Sequence, residues 1–191
     1  MQLGTRKIIW QALAWQGEER FEIIFDESFI RASGNLAGET EEGEVYALAY
    51  TIILSPEWRI ETATIQNDRT GKNLQLTHQK NHWFDGAGKH LAEFDGLEYI
   101  DISLTPFTNT LPIKCEDFTS EPGRHKVSTI YIDLPSFDLY ATNQFYTKLG
   151  PFTFAYEDEE TPDFNAAIQV DEDGLVTDYQ CLFEGTVVGD D

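Results

Sequence analysis

The sequence predicts a mostly β chain of antiparallel strands with one short helix. Three observations carry this. Apolar and polar residues alternate over many short runs, Gly-containing turns separate those runs at close intervals, and one stretch alone opens with a helix-start signature.

Taken in order, residues 44–54 (EVYALAYTIIL) are the first long strand candidate. Residues 59–66 set Ile60, Thr62 and Thr64 against Glu61, Ala63 and Ile65, and residues 73–78 put Leu74 and Leu76 on one face. The turn between these two runs contains Gly71, so a hairpin joins them. Asp85-Gly86, Asp95-Gly96 and Asp173-Gly174 are further turns between apolar runs, because Asp and Gly tolerate the left-handed backbone of tight hairpins. Later strands are expected at residues 126–134, 137–142, 152–156, 166–170, 175–179 and 182–188.

Two segments break the alternation. Residues 34–43 (GNLAGETEEG) are glycine-rich and acidic and read as an exposed loop, and residues 157–163 (EDEETPD) read as a solvated loop tip. Strands resume on the same spacing after each, so neither reads as a linker and the chain is expected to form one domain over residues 1–191. The helix candidate opens at Thr105-Pro106, where Thr caps and Pro suits the first helical position. The apolar run 107–111 is short and Pro112 would interrupt or kink a helix continuing past it, so the stretch is either a single short or bent helix or a non-regular crossover.

Composition narrows the function classes. In 191 residues, 13 bases face 34 acids, a net charge of -21. That balance argues against nucleic acid and against a basic patch on anionic lipid, both of which need clustered Lys and Arg. Cys115 and Cys181 form neither a disulfide framework nor a zinc knuckle. The N-terminal apolar run is interrupted by Gln11 and Gln16, and no stretch is apolar enough for a transmembrane helix. A cytoplasmic protein is therefore expected.

No catalytic signature stands out. His78 and His82 have the spacing of a zinc-hydrolase helix, but Gln79 replaces the activating glutamate and the flanks read as strand and turn. His90 and His125 read as surface groups. Asp171-Glu172-Asp173-Gly174 starts like a calcium loop, yet its glycine comes too early and a hairpin turn fits better. Neither a nucleophile elbow nor a phosphate loop occurs. No metal, cofactor or catalytic residue is assigned. The aromatics Trp15, Trp58, Trp83, Tyr99, Tyr131, Tyr140, Tyr146 and Tyr179 either pack in a β core or line a ligand cavity, where flat amphipathic rings stack on sugars.

The stretch DISLTPFTNTLPIK at residues 101–114 resembles the signature of the bacterial putative glycolipid-binding family. Trp15-Gln16-Gly17-Glu18-Glu19 is similar to that family's N-terminal opening, Gln144-Phe145-Tyr146-Thr147 to its Gln-x-Tyr-Thr segment, and residues 164–179 to its C-terminal hairpin. The chain departs from the pattern at Glu98-Tyr99, where Gly-Cys is usual, and at Lys114-Cys115, where a basic pair is usual and one positive charge is lost.

The resemblance implies a spiral β-roll, a strongly curved antiparallel sheet wrapped around one short central helix. It also implies a non-catalytic protein that binds an amphipathic small molecule or glycolipid. Trp15, Trp83, Asn109 and Tyr146 would orient the head group. Asp101, Thr105, Thr108, Asn109 and Thr110 lie in the signature; the Thr and Asn side chains either cap and satisfy the helix or face a polar mouth. Two other readings stay open: an enzyme acting through carboxylates on a small soluble substrate, and a β-rich interaction module forming a homodimer through an exposed edge.

Overall fold

The computed structural model describes residues 3–120 and 122–188. The chain divides into two compact units, one holding residues 1–98 with 185–191 and the other Tyr99–Glu184. The protein is mostly β, with one α-helix.

The first unit is a meander of β1 (Gly4–Ala12), β2 (Gln16–Phe25), β3 (Ile30–Glu39), β4 (Val45–Leu54), β5 (Ile60–Asn67), β6 (Asn73–Gln79) and β7 (His82–Asp85), each antiparallel to the next. Ala92–Phe94 add a single 3₁₀ turn. Alternate residues are buried along β4, as its EVYALAYTIIL run predicts. The β6–β7 link is a two-residue hairpin in which Lys80 and Asn81 both take the left-handed backbone.

Two segments differ from what the sequence predicts. Residues 34–39 belong to β3 and do not form a loop; the loop is confined to the residues between Glu39 and Val45. The glycines are strand residues because rings need their space. Gly34 pairs with Tyr50 and Gly38 with Tyr46, and a Cβ on Gly34 would stand 2.3 Å from the Tyr50 ring. The faces of β5 also differ from simple alternation. The register shifts where Ile53 pairs Thr62 and Leu54 pairs Ile60, and the extra residue, Glu61, puts Ile60 on the same buried side as Ala63 and Ile65.

The second unit contains β8 (Tyr99–Ile102), α1 (Phe107–Cys115), β9 (Arg124–Asp133), β10 (Asp138–Gly150), β11 (Thr153–Asp158), β12 (Asn165–Val170) and β13 (Val176–Tyr179). The last strand, β14 (Phe183–Val188), begins in this unit and ends in the first. Strands β9 to β13 pair antiparallel in sequence order, and β13 pairs with the start of β14. β8 and β9 are parallel, which departs from the all-antiparallel expectation. Parallel neighbours need a long crossover, and α1 supplies it. The Asp171–Leu175 turn closes the β12–β13 hairpin, with Asp171 Oδ1 accepting from the Asp173 and Leu175 amides.

The helix starts where Thr105-Pro106 predicts. Pro106 is its cap residue, and Thr105 Oγ1 accepts from the Phe107 amide at 3.2 Å. It is a single short helix that runs through Pro112 to Cys115, so of the two readings the helix holds and the non-regular crossover does not. Burial explains the tolerance: every residue from Phe107 to Ile113 is buried, and packing against β8 and β13 holds the helix where propensity would not.

Candidate functional site

The second unit holds a cleft of about 220 Å³ beside the start of α1. Its floor comes from β8 and the helix: Asp101, Ile102, Ser103, Thr105 and Asn109. Tyr131 and Tyr140, paired across β9 and β10 with ring centroids 5.1 Å apart, form one wall. Tyr156, Tyr179, Phe164 and Phe183 form the other, with Tyr156 stacking edge-on against Tyr179 at 5.7 Å. Asp158, the last residue of β11, and Glu160 and Thr161, from the acidic turn after it, stand at the rim. The loop tip expected over residues 157–163 is therefore shorter, since Glu157 and Asp158 belong to β11, and the remaining turn is a lining element as well. Among the described residues no Lys or Arg lines the cleft.

Behind the floor runs a chain of buried hydrogen bonds. Asn109 Nδ2 donates to Tyr146 Oη at 2.8 Å, and Tyr146 Oη donates to Gln144 Oε1 at 3.2 Å. Gln144 Nε2 donates to Asp101 Oδ2, Thr108 Oγ1 donates to Asp101 Oδ1 at 2.8 Å, and the Ile102 amide donates to Thr108 Oγ1 at 3.2 Å. These bonds lock β8, α1 and β10 together, and Asp101 faces the cleft with both oxygens already accepting. A network with its members satisfied rigidifies a site.

Burial pushes the Asp101 carboxyl above its usual range, and the bonds from Thr108 and Gln144 only partly offset this. Burial also pushes the Tyr131, Tyr156 and Tyr179 phenols up, with the negative charge of Asp101 adding to each, so all three stay neutral O–H groups. The cleft therefore presents flat rings, neutral hydroxyls and carboxylates. That set hydrogen-bonds a polyhydroxylated ring and stacks on its face.

Of the residues singled out in the sequence, Asp101, Thr105 and Asn109 line the cleft. Thr108 and Tyr146 lie behind it in the hydrogen-bond chain, and Tyr146 has no exposed surface. Thr110 is fully buried on α1, and its hydroxyl finds no partner among the described residues. Trp15 and Trp83 belong to the first unit and do not line the cleft. Trp83 is a core residue there, donating to the Leu97 carbonyl at 2.8 Å and stacking on His78 at 4.5 Å. Trp15 Nε1 donates to Tyr46 Oη at 2.9 Å, and Tyr46 borders a separate open depression of about 620 Å³ with Gly17, Gly38 and Arg69.

Tyr131, Tyr140, Tyr156, Tyr179 and Asp158 line the cleft, and Gln144 backs it, without being among the site residues expected from the sequence. Gln144 carried a signal, since it lies two residues from Tyr146 and so shares its strand face. The tyrosines are brought together by strand register, which composition does not reveal.

A search of characterised proteins finds no match. The crystal structure of a DUF1089 family protein from Pseudomonas aeruginosa is 31% identical, with a TM-score of 0.76 over 88% of this chain and 91% of that one. A β-barrel-like protein of the DUF1849 domain from Brucella abortus shares the fold at 14% identity and a TM-score of 0.51, covering 97% of this chain and 96% of that one. The model of the family described as putative glycolipid-binding matches residues 7–185, and by that match the chain belongs to this family.

Proposed function

We propose that the protein is a non-catalytic binding protein for an amphipathic ligand and that the second unit's cleft receives its sugar head group. The carrying observation is the lining: tyrosine rings and carboxylates around a floor of Thr105 and Asn109, with no basic side chain among the described residues. The family membership supports the same ligand class. The volume supports a head group rather than a whole lipid, because about 220 Å³ equals roughly seven water volumes of ~30 Å³. The lining also sets selectivity. Asp101, Asp158 and Glu160 favour a neutral or amine-bearing sugar and oppose phosphate or carboxylate heads.

The arrangement of Asp101 supports binding over catalysis. Both of its oxygens accept structural hydrogen bonds, which leaves it poorly placed to exchange protons with a substrate. The reading carries a cytoplasmic location, which a sequence with only two widely spaced cysteines and no disulfide framework supports.

Native mass spectrometry of protein purified from cells, then delipidation and rebinding, tests the reading. A co-purifying glycolipid mass and saturable rebinding are expected. Tyr140→Ala, at an exposed ring of the wall, is expected to weaken rebinding about fivefold, the effect of losing about 1 kcal/mol of aromatic contact. No adduct together with no saturable rebinding would remove the basis for the proposal.

A further inference from the structure

We propose that His82, His90 and Asp95 form a binding site for one divalent transition ion of the zinc type. The site belongs to the first unit and is independent of the ligand cleft. His82 Nδ1 lies 3.0 Å and His90 Nε2 2.7 Å from the same atom, Asp95 Oδ1. All the ligating atoms fall within 4.8 Å of one another. Zinc bonds of about 2.0–2.2 Å to nitrogen and oxygen set tetrahedral ligands roughly 3.3–3.6 Å apart, so an ion enters with small side-chain movements.

The backbone presets this convergence. His82 follows the two-residue β6–β7 turn, and the Gly96 amide donates to the Asn81 carbonyl at 2.9 Å, bringing the segment after Asp95 against that turn. His90 bridges to Phe84, and the Leu91 amide donates to the Trp83 carbonyl at 2.8 Å. Asp95 ends the 3₁₀ turn whose Phe94 is buried, and Trp83 Nε1 holds the Leu97 carbonyl beyond it. Three residues from separate positions are thus fixed before any ion arrives, which lowers the ordering cost of binding.

The donor set selects the ion. Two imidazoles and one carboxylate suit zinc and its neighbours, whereas calcium and magnesium want a shell of oxygens. All three side chains are exposed, so a fourth position stays open to water. The histidines four apart in sequence, His78 and His82, are not the pair: His78 is turned to the Ile60 carbonyl and the Trp83 ring.

The test is isothermal titration of zinc into the full chain stripped with chelator, repeated with cobalt and read by its visible absorption. One ion per chain is expected, with a tetrahedral cobalt spectrum. His82→Ala, His90→Ala and Asp95→Asn are each expected to weaken zinc by more than about tenfold, since loss of a mere outer-shell partner already costs 10- to 100-fold. The exposed positions let these variants keep their fold, checked by unchanged circular dichroism, and His125→Ala is expected to bind zinc like the parent. No saturable zinc binding, or binding that survives both histidine substitutions, would overturn the proposal.

Discussion

Thr110 has no exposed surface, and its hydroxyl is the one polar atom of α1's side chains buried without a partner among the described residues. An unmade hydrogen bond of this kind costs about 1–3 kcal/mol. Thr110→Val keeps the shape and removes the hydroxyl, so it is expected to stabilise the protein by about 1 kcal/mol, read as a higher urea midpoint at unchanged slope. Ligand rebinding is expected to stay the same, because Thr110 does not line the cleft.

His78 gives a second test at this scale. Burial pushes its pKa below the ordinary imidazole value of 6.5, with the charges of Arg59 and His82 acting in the same direction. The unfolded chain therefore binds this proton more readily than the folded one. Its contribution is complete above pH 6.5 and is lost as pH falls from there toward the lowered folded-state value. His78→Gln is expected to flatten that part of the stability–pH curve, measured by urea unfolding at a series of pH values. Legibility at this scale was uneven. Asp101, Thr105 and Asn109, which share one contiguous string with the helix start, line the cleft, whereas Trp83, offered by the sequence as a head-group contact, is core.

Among the elements, β3 shows why composition misled. Gly34 and Gly38 look like loop punctuation, yet each sits opposite a tyrosine whose ring covers it. Gly34→Ala would drive a methyl into Tyr50 and Glu19, so a loss of about 1–3 kcal/mol is expected in chemical denaturation. A neutral result would mean that the Tyr50 ring does not occupy that space. The same covering accounts for part of the Trp15–Glu19 opening: Gly17 makes room for Tyr46, and Glu19 Oε1 accepts from Tyr50 Oη at 2.6 Å. The β6, β12 and β13 hairpins were legible because their turns carry Asp and Gly at the positions that need them. The bulge at Glu61 and the parallel β8–β9 pair were not, since each depends on which strand lies next door.

For the whole molecule, the mostly-β class followed from alternation, and the family from a string long enough to be specific. The cleft did not follow from either, because its walls are tyrosines spread from Tyr131 to Tyr179 and joined by strand pairing. A net charge of -21 opposes anionic partners electrostatically, and among the described residues no Lys or Arg lines the cleft. None of the four tryptophans lines the cleft, so their fluorescence is a poor reporter of its occupancy.

The most direct measurement is a two-dimensional NMR titration of the delipidated full chain with octyl β-glucoside below its micelle concentration, set beside dodecyl phosphate. Saturable shifts are predicted with the sugar detergent at Asp101, Thr105, Asn109, Tyr131, Tyr140 and Tyr179, with weaker or no response to the phosphate. Shifts that avoid those residues, or a stronger response to the phosphate, would contradict a sugar-binding cleft in the second unit.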